Sequence, residues 1–146
     1  MSTVASNVPS VPVPEPDLTP KQIVARAEAL VPMLRAQQDD AERRGYYSQA
    51  VHEEFLKAGF YRMTQPRRFG GYEFDLKTYL KTMITIASGD PGTGWCLQLA
   101  SSHAWIVASH FDLETQAEAV GVGLRIAELL QLGHGGLGDG DDRVGA

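Results

Sequence analysis

At 146 residues the chain is one domain's worth of polypeptide, long enough to bury a real core. Its formal charge of −5 and isoelectric point near 5.3 argue against a nucleic-acid or anionic-membrane partner, because such surfaces select basic patches. Cys96 is the only cysteine, and His52, His103, His110 and His134 lack close metal-ligand spacing; this excludes a disulfide framework and a cysteine-based metal site and fits a reducing cytoplasm.

Residues 1–18 are rich in Ser, Val and Pro, with Pro9, Pro12, Pro14 and Pro16 falling within eight positions. Such a segment sustains neither a helix nor a sheet ladder and reads as a disordered tail without the basic start and apolar run of a signal peptide. The helical domain is expected over 19–120. Thr19 caps helix one, Pro20 takes its first position and Gln22 stands at the capping-box position, with Ile23, Ala27, Leu30, Val31 and Leu34 on the inner face. Ser48 caps a short second helix whose Val51, Phe55 and Leu56 are expected inward, and Gly59 supplies its left-handed terminator.

Phe60 to Thr64 reads as an extended connector into the loop Gln65-Pro66-Arg67-Arg68-Phe69-Gly70-Gly71-Tyr72. Gly70 and Gly71 permit a tight or left-handed turn that brings the backbone close to something; the loop is either a surface turn or the wall of an active site. Asp75 caps a third helix with Leu76, Tyr79, Leu80, Met83, Ile84 and Ala87 at helical spacing, ended by Ser88-Gly89.

Pro91 to Phe111 contains no Lys, Arg, Asp or Glu, and Asp90 with Pro91 provides a helix start. Thr93, Gln98, Ser101, Ser102, His103, Ser109 and His110 are too many polar groups for a bilayer, so the stretch is expected as a central helix, inside on nearly every face. Gly92, Cys96, Ala100, Ala104 and Ala108 form a ridge of small side chains along which a neighbouring helix can approach. Trp95 and His103, eight residues apart, lie about 80° apart around the helix and flank one groove. On spacing alone His103 reads as a hydrogen-bonded core histidine and Trp95 as core filler; the alternative makes both, with Ser102, part of a binding site. Asp112 caps a fifth helix, Leu113 to Val120. Residues 121–146 contain eight glycines and form an atypical tail, and Gly133-His134-Gly135-Gly136-Leu137-Gly138 lacks the preceding strand and following helix of a dinucleotide site.

Gly59-Phe60-Tyr61-Arg62-Met63, the Gln65-to-Tyr72 loop, Ala87-Ser88-Gly89-Asp90-Pro91-Gly92-Thr93-Gly94-Trp95, Ser102-His103-Ala104-Trp105 and Phe111 to Gln116 occur in an order that resembles the N-terminal helical domain of acyl-CoA dehydrogenase-like proteins. Within them, Gly-x-Thr-Gly-Trp with His eight residues after the Trp is most similar to the oxygenase components of two-component, reduced-flavin-dependent aromatic monooxygenases. The resemblance spans about Pro20 to Val120. It implies an all-α orthogonal bundle of about five helices, with Trp95, Ser102, Gly70 and Gly71 lining a flavin and substrate pocket and His103 as the catalytic group that orients a phenol or takes its proton. It further implies reduced flavin (FMNH₂ or FADH₂) as cofactor, a flavin hydroperoxide as oxygen donor, a separate flavin reductase, an aromatic substrate and a homo-oligomer when complete. Whole members continue into a β-barrel-like middle domain and a C-terminal helical bundle, so the chain reads as a truncated or frame-shifted fragment that alone binds flavin weakly or not at all. An acyl-CoA dehydrogenase or desulfurisation-type oxygenase fragment, and a non-catalytic helical interaction module, are the competing readings.

Overall fold

The computed structural model describes residues 10–119, and the Gly-rich segment and the first nine residues lie outside them. Among the described residues the protein is all-α; residues 10–111 carry the α-helices α1 Pro20–Arg44, α2 Gln49–Ala58, α3 Leu76–Gly89 and α4 Pro91–His110, and a further helical segment follows at 113–119. The start signals act as read. The Thr19 hydroxyl accepts from the Gln22 amide while the Gln22 side chain accepts from the Thr19 amide, Ser48 Oγ accepts from the Val51 amide at 3.3 Å, and Asp75 Oδ1 from the Thr78 amide at 2.8 Å. Gly45 and Gly59 close α1 and α2 at φ of 77° and 80°, the left-handed conformation that a Cβ penalises.

Phe60–Arg62 forms a turn of 3-10 helix rather than the expected extended connector. The reason is local. Gly59 already turns the chain left-handed, and winding the next residues tightly buries both Phe60 and Met63 completely. Tyr72 then donates its amide to the Arg62 carbonyl at 2.9 Å and Phe74 to Met63 at 2.8 Å, closing the Gln65–Tyr72 loop at its base.

The core gathers Ile23, Ala27 and Leu34 of α1, Val51 and Phe55 of α2, Phe60 and Met63 at the 3-10 turn, Tyr79, Met83 and Ile86 of α3, and Leu97 of α4. In this arrangement α3 packs against both α1 and α4. Gly89 admits α1, since a Cβ there would stand 2.9 Å from Leu34 Cβ, and Gly94 admits α3, since a Cβ there would stand 2.8 Å from both Cα and Cβ of Ala87. The corner between α3 and α4 is Asp90 alone, buried, with Oδ1 accepting from the Gly92 amide at 3.0 Å and Oδ2 from the Thr93 hydroxyl at 2.5 Å.

Five further expectations are corrected. Leu56 is exposed, because α2 is short and its packed stripe is Val51, Phe55 and Ala58. On α3, Leu76, Leu80 and Ile84 point outward as one i, i+4, i+8 stripe, opposite the buried Tyr79, Met83 and Ile86. The small-residue ridge of α4 is turned away from its neighbour: Gly92, Cys96 and Ala100 are exposed, and the packed line is Gly94, Leu97 and Ser101. Most consequentially, α4 is not surrounded; it packs on one side and leaves Trp95, Leu99, Trp105 and Ile106 exposed among the described residues. Residues 10–18, read as part of a tail, carry a parallel bridge between Val11 and Phe69 and bury Leu18. Separately, residues 113–119 are helical and Asp112 Oδ1 accepts from the Thr115 amide at 2.9 Å.

Phe55→Ala is expected to cost about 3–5 kcal/mol and Leu56→Ala under about 0.5 kcal/mol in urea unfolding, the first emptying a fully buried site and the second trimming a solvated side chain. Gly94→Val should cost about 1–3 kcal/mol, as its side chain meets the Ala87 backbone rather than a movable tip.

Candidate functional site

The helical spacing of α4 places Trp95, Leu99, Ser102, His103, Ile106 and His110 on its outward half, with no charged side chain anywhere along the helix. Trp95 is 64% exposed, and neither it nor the exposed His103 is a core residue in this structure; the core-histidine and core-filler readings fail because the packed side of α4 is the opposite one.

The many hydroxyl and imidazole groups of α4 are satisfied by its own backbone. Ser101 Oγ donates to the Leu97 carbonyl at 2.7 Å, Ser109 Oγ to Trp105 at 2.8 Å and His110 Nδ1 to Ile106 at 3.1 Å, each reaching back one turn. His103 Nδ1 bonds the Leu99 carbonyl in the same way, and Ser102 Oγ donates to that carbonyl at 3.2 Å. A carbonyl only accepts, so Nδ1 of His103 carries the proton. In the neutral ring Nε2 is then left as an acceptor on the outward face, the state required of a group that takes or orients a hydroxyl proton.

Gly70 and Gly71 belong to a different neighbourhood. Gly70 has φ of 78°, and a Cβ on it would meet the Pro12 carbonyl oxygen at 2.9 Å and Val11 Cγ1 at 3.0 Å; a Cβ on Gly71 would run into the backbone of Gln65. The close approach expected of this glycine pair is thus made to the chain's own N-terminal segment and to the other side of the loop. Between the loop and α4 the link is Thr64, whose hydroxyl donates to the Ser101 carbonyl at 2.9 Å.

A polar cluster that no motif announces joins α2 to the 3-10 turn. The Tyr61 hydroxyl lies 2.9 Å from His52 Nδ1 and 3.0 Å from the Tyr47 hydroxyl, and burial, reinforced by the Tyr47 hydrogen bond, holds its phenol far above the ordinary range, so it stays protonated. Its three members come from separate segments, so no local spacing signals them. On α4, Gln98 Oε1 is buried without a hydrogen-bond donor among the described residues, whereas the Gln98 carbonyl accepts from the Tyr79 hydroxyl at 2.8 Å. No group of three or more potential metal ligands is found among the described residues, and no helix there is long and apolar enough to cross a membrane.

An exposed His103 predicts that His103→Asn changes the free energy of unfolding by less than about 0.5 kcal/mol. A loss of about 1–3 kcal/mol by chemical denaturation would restore the core role.

Comparison with known proteins bears on what this face belongs to. The family model for the acyl-CoA dehydrogenase N-terminal domain matches residues 21–120. The oxygenase subunit HsaA of a flavin-dependent monooxygenase from Rhodococcus jostii is 29% identical over 66% of this chain and 25% of its own length. Indole-3-acetate monooxygenase from Acinetobacter baumannii is 31% identical over 49% of the chain and 18% of its own length. The oxygenase component of p-hydroxyphenylacetate 3-hydroxylase from the same species is 23% identical over 70% and 24%. The chain therefore spans about a quarter of the length of such relatives. No solved structure gives a significant match. With the family model covering α1 to α4 and the loop between α2 and α3, the chain belongs to the family of acyl-CoA dehydrogenase N-terminal domains.

Proposed function

We propose that this chain is the N-terminal helical part of the oxygenase component of a two-component, reduced-flavin-dependent aromatic monooxygenase. The observation that carries the reading is the pairing of Trp95 with His103 on an uncharged, outward face of α4, in a chain whose relatives are named as oxygenase components. A flat, largely apolar flavin ring or phenol fits such a face. Trp95 offers a planar apolar wall, Leu99 and Ile106 keep the surroundings dry once covered, and no ionised side chain of α4 competes for the ring. Reduced flavin, when bound, would supply the two electrons that activate dioxygen for transfer of one oxygen atom to the ring.

In this reading His103 receives the phenolic proton, or orders the hydroxyl, at Nε2, while the Leu99 carbonyl holds Nδ1–H and so fixes both tautomer and ring direction. Ser102 shares that carbonyl and steadies the same turn of helix. Gly70 and Gly71 contribute a wall whose shape depends on the backbone of the loop. A separate flavin reductase, a homo-oligomeric complete enzyme and location in the cytoplasm belong to the same proposal. One uncovered face offers few contacts, so the 146-residue chain by itself should bind FMNH₂ or FADH₂ weakly; sub-micromolar stoichiometric binding in anaerobic calorimetry would contradict this.

The reading is tested in a complete oxygenase component carrying this domain. His103→Asn should retain flavin binding and melting temperature while hydroxylation falls about 10²- to 10⁴-fold and hydrogen peroxide release rises. Unchanged coupling of reductant to product in the folded variant removes His103 from the chemistry.

A further inference from the structure

Val11-Pro12-Val13-Pro14-Glu15-Pro16 alternates with a period of two. Val11, Val13 and Glu15 are half-buried, whereas Pro12, Pro14 and Pro16 are exposed. Val11 to Val13 run extended along the surface, after which the chain bends at Pro14 and turns through Pro16 and Asp17, closed by the Leu18 amide donating to the Glu15 carbonyl at 3.1 Å; the residues that lack an N–H face solvent throughout. Val13 packs against the main core, Leu18 enters it, and the Val11 amide donates to the Arg68 carbonyl at 2.9 Å.

The far side of this segment is tied by one side chain. Arg26 of α1 donates Nη1 to Glu15 Oε1 at 2.9 Å and Nη2 to Glu15 Oε2 at 2.6 Å, and its Nη1 also donates to the Ala58 carbonyl at the end of α2, at 3.0 Å. Tyr72 at the base of the glycine loop points its hydroxyl at Glu15 Oε1, 3.4 Å away. Arg67 donates to the Pro16 carbonyl at 3.1 Å, and the Pro12 carbonyl fills the space where a Cβ of Gly70 would be. Phe69, in the bridge with Val11, is 2% exposed yet stands outside the main core cluster.

We propose that Val11–Leu18 is a clamp that sets the conformation of the Arg67–Tyr72 loop, and that the Glu15–Arg26 pair is its latch, two positioning residues that act on Gly70 and Gly71 through the clamp. A guanidinium is suited to this, because its fork satisfies both carboxylate oxygens and a third acceptor at once, which an ammonium in the same place does not reproduce. The clamp stands on contacts within the chain and does not depend on the flavin reading; if both hold, the clamp shapes one wall of the pocket.

The titrating groups at the latch are Glu15 and Tyr72, with Arg26 and Arg62 as the facing cations. The Arg26 hydrogen bond, more than its charge alone, lowers the Glu15 carboxyl below its usual value. A carboxylate lowered on folding stabilises the latched form fully above its unfolded value of about 4.3 and loses that contribution as pH falls through the lowered value. The clamp should therefore loosen as pH falls below the unfolded carboxyl's range and through the lowered value of Glu15.

Amide hydrogen exchange on the full 146-residue chain tests this. Arg26→Ala and Glu15→Gln should each speed exchange at Val11, Gly70 and Gly71 about tenfold relative to Phe55 and Ile86, with Arg26→Lys intermediate. The wild type, corrected for intrinsic rates, should show the same selective acceleration as pH falls below the ordinary carboxylate range, and Glu15→Gln should show no such pH dependence. Acceleration at Val11 alone, or an equal acceleration at the core amides, would overturn the clamp, the first because the loop does not depend on the strap and the second because the pair merely adds global stability.

Discussion

The corner at Asp90 governs the rest of the domain. With α3 ending at Gly89 and α4 beginning at Pro91, one residue must reverse the chain, and its carboxylate fastens the new helix through the Gly92 amide and the Thr93 hydroxyl. So short a link leaves the two helices little choice of separation or rotation. Gly94 against Ala87 then brings α4 onto α3 nearly backbone to backbone, and Gly89 does the same for α1 at Leu34. Once these approaches are made, the rotation of α4 about its axis is determined. Gly94, Leu97 and Ser101 face in, so Trp95, Leu99, His103 and Ile106 face out.

That rotation turns a helix without ionised groups into a surface. An exposed face carrying several large apolar side chains and no ionised ones is of the kind that a partner surface or a ligand uses. The serines and histidines of α4 do not need such a partner. They return their hydrogen bonds to carbonyls one turn back, which leaves His103 Nε2 as an outward acceptor in the neutral ring.

The Gln65–Tyr72 loop poses a different problem, that of keeping a glycine-rich turn in one shape. Its base is closed by the amides of Tyr72 and Phe74, and the Arg62 guanidinium donates to the Gly70 carbonyl at 3.1 Å. Its outer side is met by the proline-rich segment. Proline gives that segment little backbone entropy to lose on docking, which suits a short strap with few hydrogen bonds of its own.

The local signals in the sequence determined the helices. Thr19, Ser48, Asp75 and Asp90 start them where cap chemistry requires, and Gly45 and Gly59 stop two of them, because capping is decided by side chains within three or four residues of the terminus. The family was legible for a similar reason, since the Gly-x-Thr-Gly-Trp and Phe-Gly-Gly segments are contiguous. Which way the helices face was not. Periodicity marks an apolar stripe without saying whether this chain supplies the cover, so Leu56, Leu76, Leu80, Ile84 and Trp95 read as interior and stand in solvent. The strap was missed because its valines and prolines alternate with a period of two, and that period acquires meaning only when a loop more than 50 residues away presents the Arg68 carbonyl and the Gly70 cleft to it. Caps and stops are short-range physics; rotation, exposure and clamping depend on contacts between distant segments, and those only the tertiary structure decided.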